Sequence, residues 1–184
     1  MKKIVSLLLI LVAFSSCETD VKFSDPGLQG RKDNLIWRAD LTTASFTTTD
    51  PVDPSIGELT ITAYKGLEEV TLKMPFVVSA GVMNNNPLEF SYGYDAAHPE
   101  NDDDIVVSYS YEDNGVTLEY ITGMGYNVGA QQRGNAQIVI TSYDPVKGTI
   151  SGNFKFNAKY QGTSDIVPEN VNFQEGAFYN IQRQ

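Results

Sequence analysis

IVVSYSYEDNGVTLEY, residues 105–120, decides how the rest of the chain is read. Ile105, Val107, Tyr109 and Tyr111 alternate with Val106, Ser108, Ser110 and Glu112. After Asn114-Gly115 the alternation resumes: Val116, Leu118 and Tyr120 against Thr117 and Glu119. A period of two places every second side chain on one face of an extended strand. Asn-Gly between two such runs supplies the positive backbone angles of a tight hairpin turn. The stretch is therefore expected to be two antiparallel strands with one buried face.

Outward from this hairpin the same period recurs. Leu88, Phe90, Tyr92 and Tyr94 alternate with polar or small residues, and Ile150, Phe154 and Phe156 share a parity against Ser151, Asn153 and Lys155. Weaker runs lie at 35–41, 43–49, 57–64, 69–76, 136–143 and 173–182. Asp50-Pro51, Asp53-Pro54 and the stretch from Asp144 to Gly148 punctuate them as turns. No window of a dozen residues carries a helical period. Sequential strands with short turns imply an all-β fold: one antiparallel β-sandwich or β-barrel domain of about ten strands.

The first residues follow a different rule. Lys2 and Lys3 precede an apolar run over 4–14, then Ser15, Ser16 and Cys17, the lone cysteine. A charged start, a short apolar stretch and small residues make a secretory signal peptide. The run is too short for a membrane-spanning helix, which needs about 20 apolar residues. Phe14-Ser15-Ser16-Cys17 resembles the lipobox of bacterial lipoproteins, with Phe14 in place of the usual Leu. The resemblance implies cleavage before Cys17, acylation of its sulfur and amine, and anchoring to a membrane. A lone thiol has no disulfide partner, which agrees. Glu18 rather than Asp after the cysteine favours the outer membrane of a Gram-negative cell, on either its periplasmic or its outer face. The expected organisation is a signal peptide over 1–16, a lipidated cysteine with a flexible tether over 17–33, and a β-domain over 34–184.

Charge narrows the partners. Without Lys2 and Lys3 the chain has 11 basic and 23 acidic residues, a net charge of −12. Such a surface repels nucleic acid and anionic lipid headgroups. At 41% apolar and 11% aromatic, the composition is that of a folded domain.

Candidate chemistry is sparse. His98, the sole histidine, sits in a polar loop, without a second His or a further Cys to build a zinc site. Asp102, Asp103 and Asp104 offer hard oxygens, but consecutive carboxylates diverge and the spaced calcium-loop pattern is missing. Gly123 to Gly129 is glycine-rich yet leads into a strand, whereas a phosphate cradle leads into a helix. No catalytic, cofactor-binding or metal-ligating residue is assigned, and the chain is not expected to be an enzyme. The tyrosines are the suggestive feature: Tyr92, Tyr109 and Tyr120 either fill the core, as their parity implies, or contact a ligand by lining a barrel mouth or stacking on sugar rings. Trp37, with the parity of Leu35, Ala39 and Leu41, is expected in the core.

The C-terminal half carries three motifs: QIVITSYD at 137–144, TISGNFKFNA at 149–158 and VNFQEGAF at 171–178. Together with Trp37-Arg38-Ala39 they resemble an uncharacterised family, a domain of unknown function, of small β-rich bacterial lipoproteins. The resemblance implies a β-rich, lipid-anchored protein and transfers no site residues. The functional expectation is a lipid-anchored cell-envelope protein, a non-enzymatic binding or accessory module whose partner is a protein, a glycan or an apolar ligand. The alternatives are a barrel-type carrier of a small apolar ligand and a polysaccharide hydrolase.

Overall fold

A computed structural model describes residues 27–78, 87–94, 102–123, 134–163 and 166–184. Among them are eleven strands and no helix. In chain order they are β1 (Gly27–Lys32), β2 (Leu35–Arg38), β3 (Leu41–Thr48), β4 (Ile56–Lys65), β5 (Glu68–Val77), β6 (Leu88–Tyr92), β7 (Val106–Asp113), β8 (Val116–Gly123), β9 (Asn135–Asp144), β10 (Thr149–Tyr160) and β11 (Asn170–Gln182).

The opening hairpin is β7–β8. Asp113 pairs with Val116 across a two-residue turn, with Asn114 at φ 51° and Gly115 at φ 78°. Those angles match the right-handed strand twist, which is why Asn-Gly sits there. Every named pairing between strands is antiparallel, in the order β2-β1-β11-β10-β8-β7-β5-β4-β3.

The sheet forks at β10. Lys159 and Tyr160 pair with β8, while Thr149 to Asn157 pair with β9, which continues to β6. At the far end Ala44 of β3 bridges to Arg183, and the Gln184 N–H donates to the Ala44 carbonyl at 2.9 Å. The sheet thus curls back on itself around one core, a barrel-like arrangement rather than two separate layers.

Two differences from the sequence reading have local causes. Residues 27–32, expected to be tether, form β1, because Leu28 is fully buried and the segment pairs with both β11 and β2. Second, Leu35 and Leu41 share the parity of Trp37 yet are 73% and 58% exposed. β2 is a four-residue edge strand, and the chain turns away at Ala39 and Asp40. Trp37 is fully inside, and Ala39 packs against the core partly buried.

The last two strands show how glycine and aromatic residues cooperate. Gly152-Asn-Phe154 lies antiparallel to Gly176-Ala-Phe178, with Gly152 opposite Phe178 and Phe154 opposite Gly176. Each phenylalanine ring covers the other strand's glycine. A Cβ on Gly152 would stand 2.2 Å from the Val139 oxygen and 2.4 Å from the Phe178 ring; one on Gly176 would meet the Phe154 ring at 2.7 Å. Only glycine leaves room for these rings. The register of β11 shifts beside Gly176. Phe156 faces Phe173 but Phe154 faces Gly176, with Glu175 at φ 51°. A second shift lies by Asn180, at φ 49°. These two bulges set the inward residues to Val171, Phe173, Gly176, Phe178 and Ile181. Glu175, Ala177 and Tyr179 go to the other face.

Candidate functional site

On β5 the inward parity runs Glu68, Val70, Leu72, Met74, Phe76. All but the first are buried and apolar. A carboxylate on that parity must find partners or be driven out. It finds them across the core. Lys32, at the end of β1, donates from Nζ to Glu68 Oε2 at 2.6 Å and to Tyr109 Oη at 2.6 Å. Tyr109 Oη donates to the same Glu68 oxygen at 2.8 Å, and Trp37 Nε1 donates to it at 2.8 Å. Three donors from β1, β2 and β7 thus converge on one oxygen. Lys32 also sits 4.6 Å from the centre of the Tyr109 ring.

The electrostatics follow from this geometry. Burial would raise the Glu68 pKa, but the bonds from Lys32, Tyr109 and Trp37 and the charge of Lys32 outweigh it and hold the carboxyl below its ordinary value of 4.5. Burial, with the bond to Glu68, drives the Tyr109 hydroxyl far above its ordinary 10.0. Tyr120 is also pushed up, by burial first and then by Tyr111. A general acid or base works best with a pKa near the working pH. Here the carboxylate is held ionised and the phenols neutral, each displaced away from neutrality. The cluster is a staple between opposite parts of the curled sheet and is poorly set for proton transfer.

Tyr109 and Tyr120 are brought together, ring centres 5.8 Å apart, and are 2% and 0% exposed. Tyr109 touches Phe173 at 5.8 Å and Tyr120 touches Tyr160 at 5.4 Å. Tyr92 is apart from them, at the end of β6 opposite Ala136, and is also buried. All three rings belong to the core. Cys17, His98 and residues 124–133 of the glycine-rich loop lie outside the described residues.

Two of the three clustered aspartates hold backbone. Asp103 Oδ2 accepts the Ser91 N–H at 2.6 Å and Asp102 Oδ1 accepts the Gly93 N–H at 2.8 Å. Their carboxylates fasten the end of β6. Among the described residues no group of three or more His, Cys, Asp or Glu side chains is arranged to hold a metal ion.

Lys32 and Glu68 were not singled out by sequence reasoning. Lys32 fell in the expected tether. Glu68 did carry a signal: a carboxylate one step before Val70, Leu72 and Met74 on the same parity.

Fold and site together define a small, barrel-like, all-β domain with a partly buried ion pair joining β1 and β5. The chain belongs to a family described as a domain of unknown function (DUF6252), which matches residues 24–182. That span takes in β1, in agreement with its pairing in the sheet. No curated protein and no solved structure matches the chain.

Proposed function

We propose that this protein is a lipid-anchored module of the bacterial outer membrane that binds a partner and performs no catalysis. The observation that carries the anchor is Cys17 at the end of Phe14-Ser15-Ser16, directly after a charged start and a short apolar run. Two or more acyl chains hold a protein firmly to a membrane, whereas one binds reversibly. The anionic composition, −10 for the whole chain, supports a surface that stays off nucleic acid and lipid headgroups.

The binding reading is favoured over the apolar carrier by the packing of the tyrosines. A carrier needs Tyr92, Tyr109 and Tyr120 around a pocket; instead Tyr109 and Tyr120 contact other core rings. It is favoured over the hydrolase by Glu68, whose oxygen is occupied by three donors. Growth of expressing cells with an alkyne-tagged palmitate tests the anchor. The wild-type chain is expected to take up the label and sediment with membranes, and Cys17→Ser to lose both. An unlabelled wild-type protein would sink the proposal.

A further inference from the structure

We propose that one end of the curled sheet, centred on the Gly66-Leu67 turn, is a docking surface for a second protein with an apolar, basic-rimmed face. This rests on the binding-module reading and deepens it by naming the surface that binds. Three neighbouring connections are fastened to Gly66-Leu67. The Gly66 N–H donates to Asp40 Oδ2 at 3.0 Å, which ties in the corner between β2 and β3. The Leu67 carbonyl accepts the Glu112 N–H at 3.2 Å, which ties in the β7–β8 hairpin. The Lys32–Glu68 pair ties in the β1–β2 hairpin, closed by Leu35 opposite Lys32. Four connections therefore meet at one end of the sheet.

The fold does not require the apolar side chains found there. Gly66, at φ 57°, takes the first place of a two-residue turn between Lys65 and Glu68. Such a turn needs glycine at that place and asks nothing apolar of the second, where Asn, Asp or Ser is usual. Leu67 holds the second place and is 70% exposed. Leu35, Ile36, Leu41 and Val116, from the three connections around it, are each more than half exposed. Tyr64 is exposed opposite Leu41. Single exposed leucines are ordinary, but six apolar side chains gathered from four connections mark an interaction site.

The charges say what covers it. Asp33, Asp40, Glu112 and Asp113 lie in the same connections, against Arg38 and Lys65. None of the four carboxylates is in an ion pair among the described residues. The rim therefore keeps a net negative charge. A second copy of the chain would meet it with the same sign, and anionic headgroups would be repelled as well. An apolar centre ringed by Lys and Arg is the complement. The tether enters β1 at Gly27, the end of that strand remote from the Asp33-Asn34 turn, so the surface points away from where the anchor arrives.

The test places the photo-crosslinking residue p-benzoylphenylalanine in the full chain, in the cells that make it. It is placed at Leu35, Leu67 and Val116, and at Val52 and Val146 as controls. The controls are exposed and lie in connections at the opposite end of the sheet. Irradiation is expected to join the same protein to the first three positions and not to the controls. The crosslinked peptide of that protein should hold apolar residues flanked by Lys or Arg. With the crosslinker at Leu67, Leu35→Ser and Glu112→Lys should each lower the yield about fivefold, one through lost apolar contact and the other through charge. Both side chains are exposed, so unchanged melting temperatures are expected to show that the variants fold. Products from Val52 or Val146 alone overturn the surface but leave the binding-module reading standing. A product with a second copy of the chain, or with lipid, overturns the choice of partner. No product from any of the five positions overturns the binding-module reading with it.

Discussion

The two faces of β10 and β11 share one backbone and follow different rules. Inward, Phe154, Phe156, Phe173 and Phe178 are at most 4% exposed, and Phe156 stacks on Phe173 with ring centres 4.7 Å apart. Outward, Asn153, Lys155, Ala177 and Tyr179 alternate with them in partial or full exposure. The inner face is fixed by volume: each ring must fill its space, and Gly152 and Gly176 exist to give two of them room. The outer face has no such constraint. What stands there need only meet water, so polar side chains and half-exposed rings are tolerated.

The largest effect should come from breaking the inner face. Phe154→Ala removes a ring that covers Gly176 and contacts both Phe156 and Phe173. It is expected to cost about 3–5 kcal/mol, the range for a large core residue cut to alanine. Urea unfolding measures it, with Lys155→Ala, one residue along, expected within about 0.5 kcal/mol. A loss below ~1 kcal/mol for Phe154→Ala would remove the contrast between the faces.

A smaller effect should come from the staple. Lys32 and Glu68 keep about a quarter of their side chains exposed, 24% and 25%, so the pair is only partly buried. Glu68→Gln leaves Lys32 without its counter-charge, and about 2 kcal/mol is expected, below the 3–5 of a fully buried pair. The pH dependence has a definite sign. The folded pKa of Glu68 lies below its ordinary value, so its contribution is fully present above the unfolded pKa, near 4.5. It is lost as pH falls through the lowered folded value. Glu68→Gln should therefore flatten the acid limb of the stability curve and bring the two proteins closer at low pH. A stability gap that stays constant from neutral pH to well below that value would show that the carboxylate charge is not what holds the sheet together.

Period-two reading succeeded wherever a strand had one buried face. The β7–β8 hairpin, with Asn114-Gly115 at its turn, and the inward parity of Phe154 and Phe156 were legible because burial and alternation are the same fact. It failed where tertiary pairing outranks local pattern. Gly27 to Lys32 is rich in glycine and charge and reads as coil, yet Leu28 and the open edge of β11 are enough to make it a strand. The candidate tyrosines were placed in the core by parity, which left their hydroxyl partners open. Tyr109 meets Lys32 and Glu68, which are 77 and 41 residues away in the chain, and no spacing rule reaches that far. The outward side chains of β11 were hidden for a related reason: the bulge at Glu175 shifts its parity, so strict alternation from Phe173 would have turned Glu175, Ala177 and Tyr179 inward.

That parity shift leads to the smallest expected change in stability. Tyr179→Ala removes a ring that the bulge at Glu175 turns outward and that is 47% exposed. Its cost should stay near the ±0.5 kcal/mol typical of surface positions, about 1–2 °C in melting temperature for a chain of this length. Calorimetry of the wild-type and variant proteins decides it. A drop comparable to that of Phe154→Ala would mean that Tyr179 belongs to the fold, and the outer face would then be held by packing as the inner face is. A small change makes Tyr179 a residue that the fold does not need, and the contrast between the two faces stands.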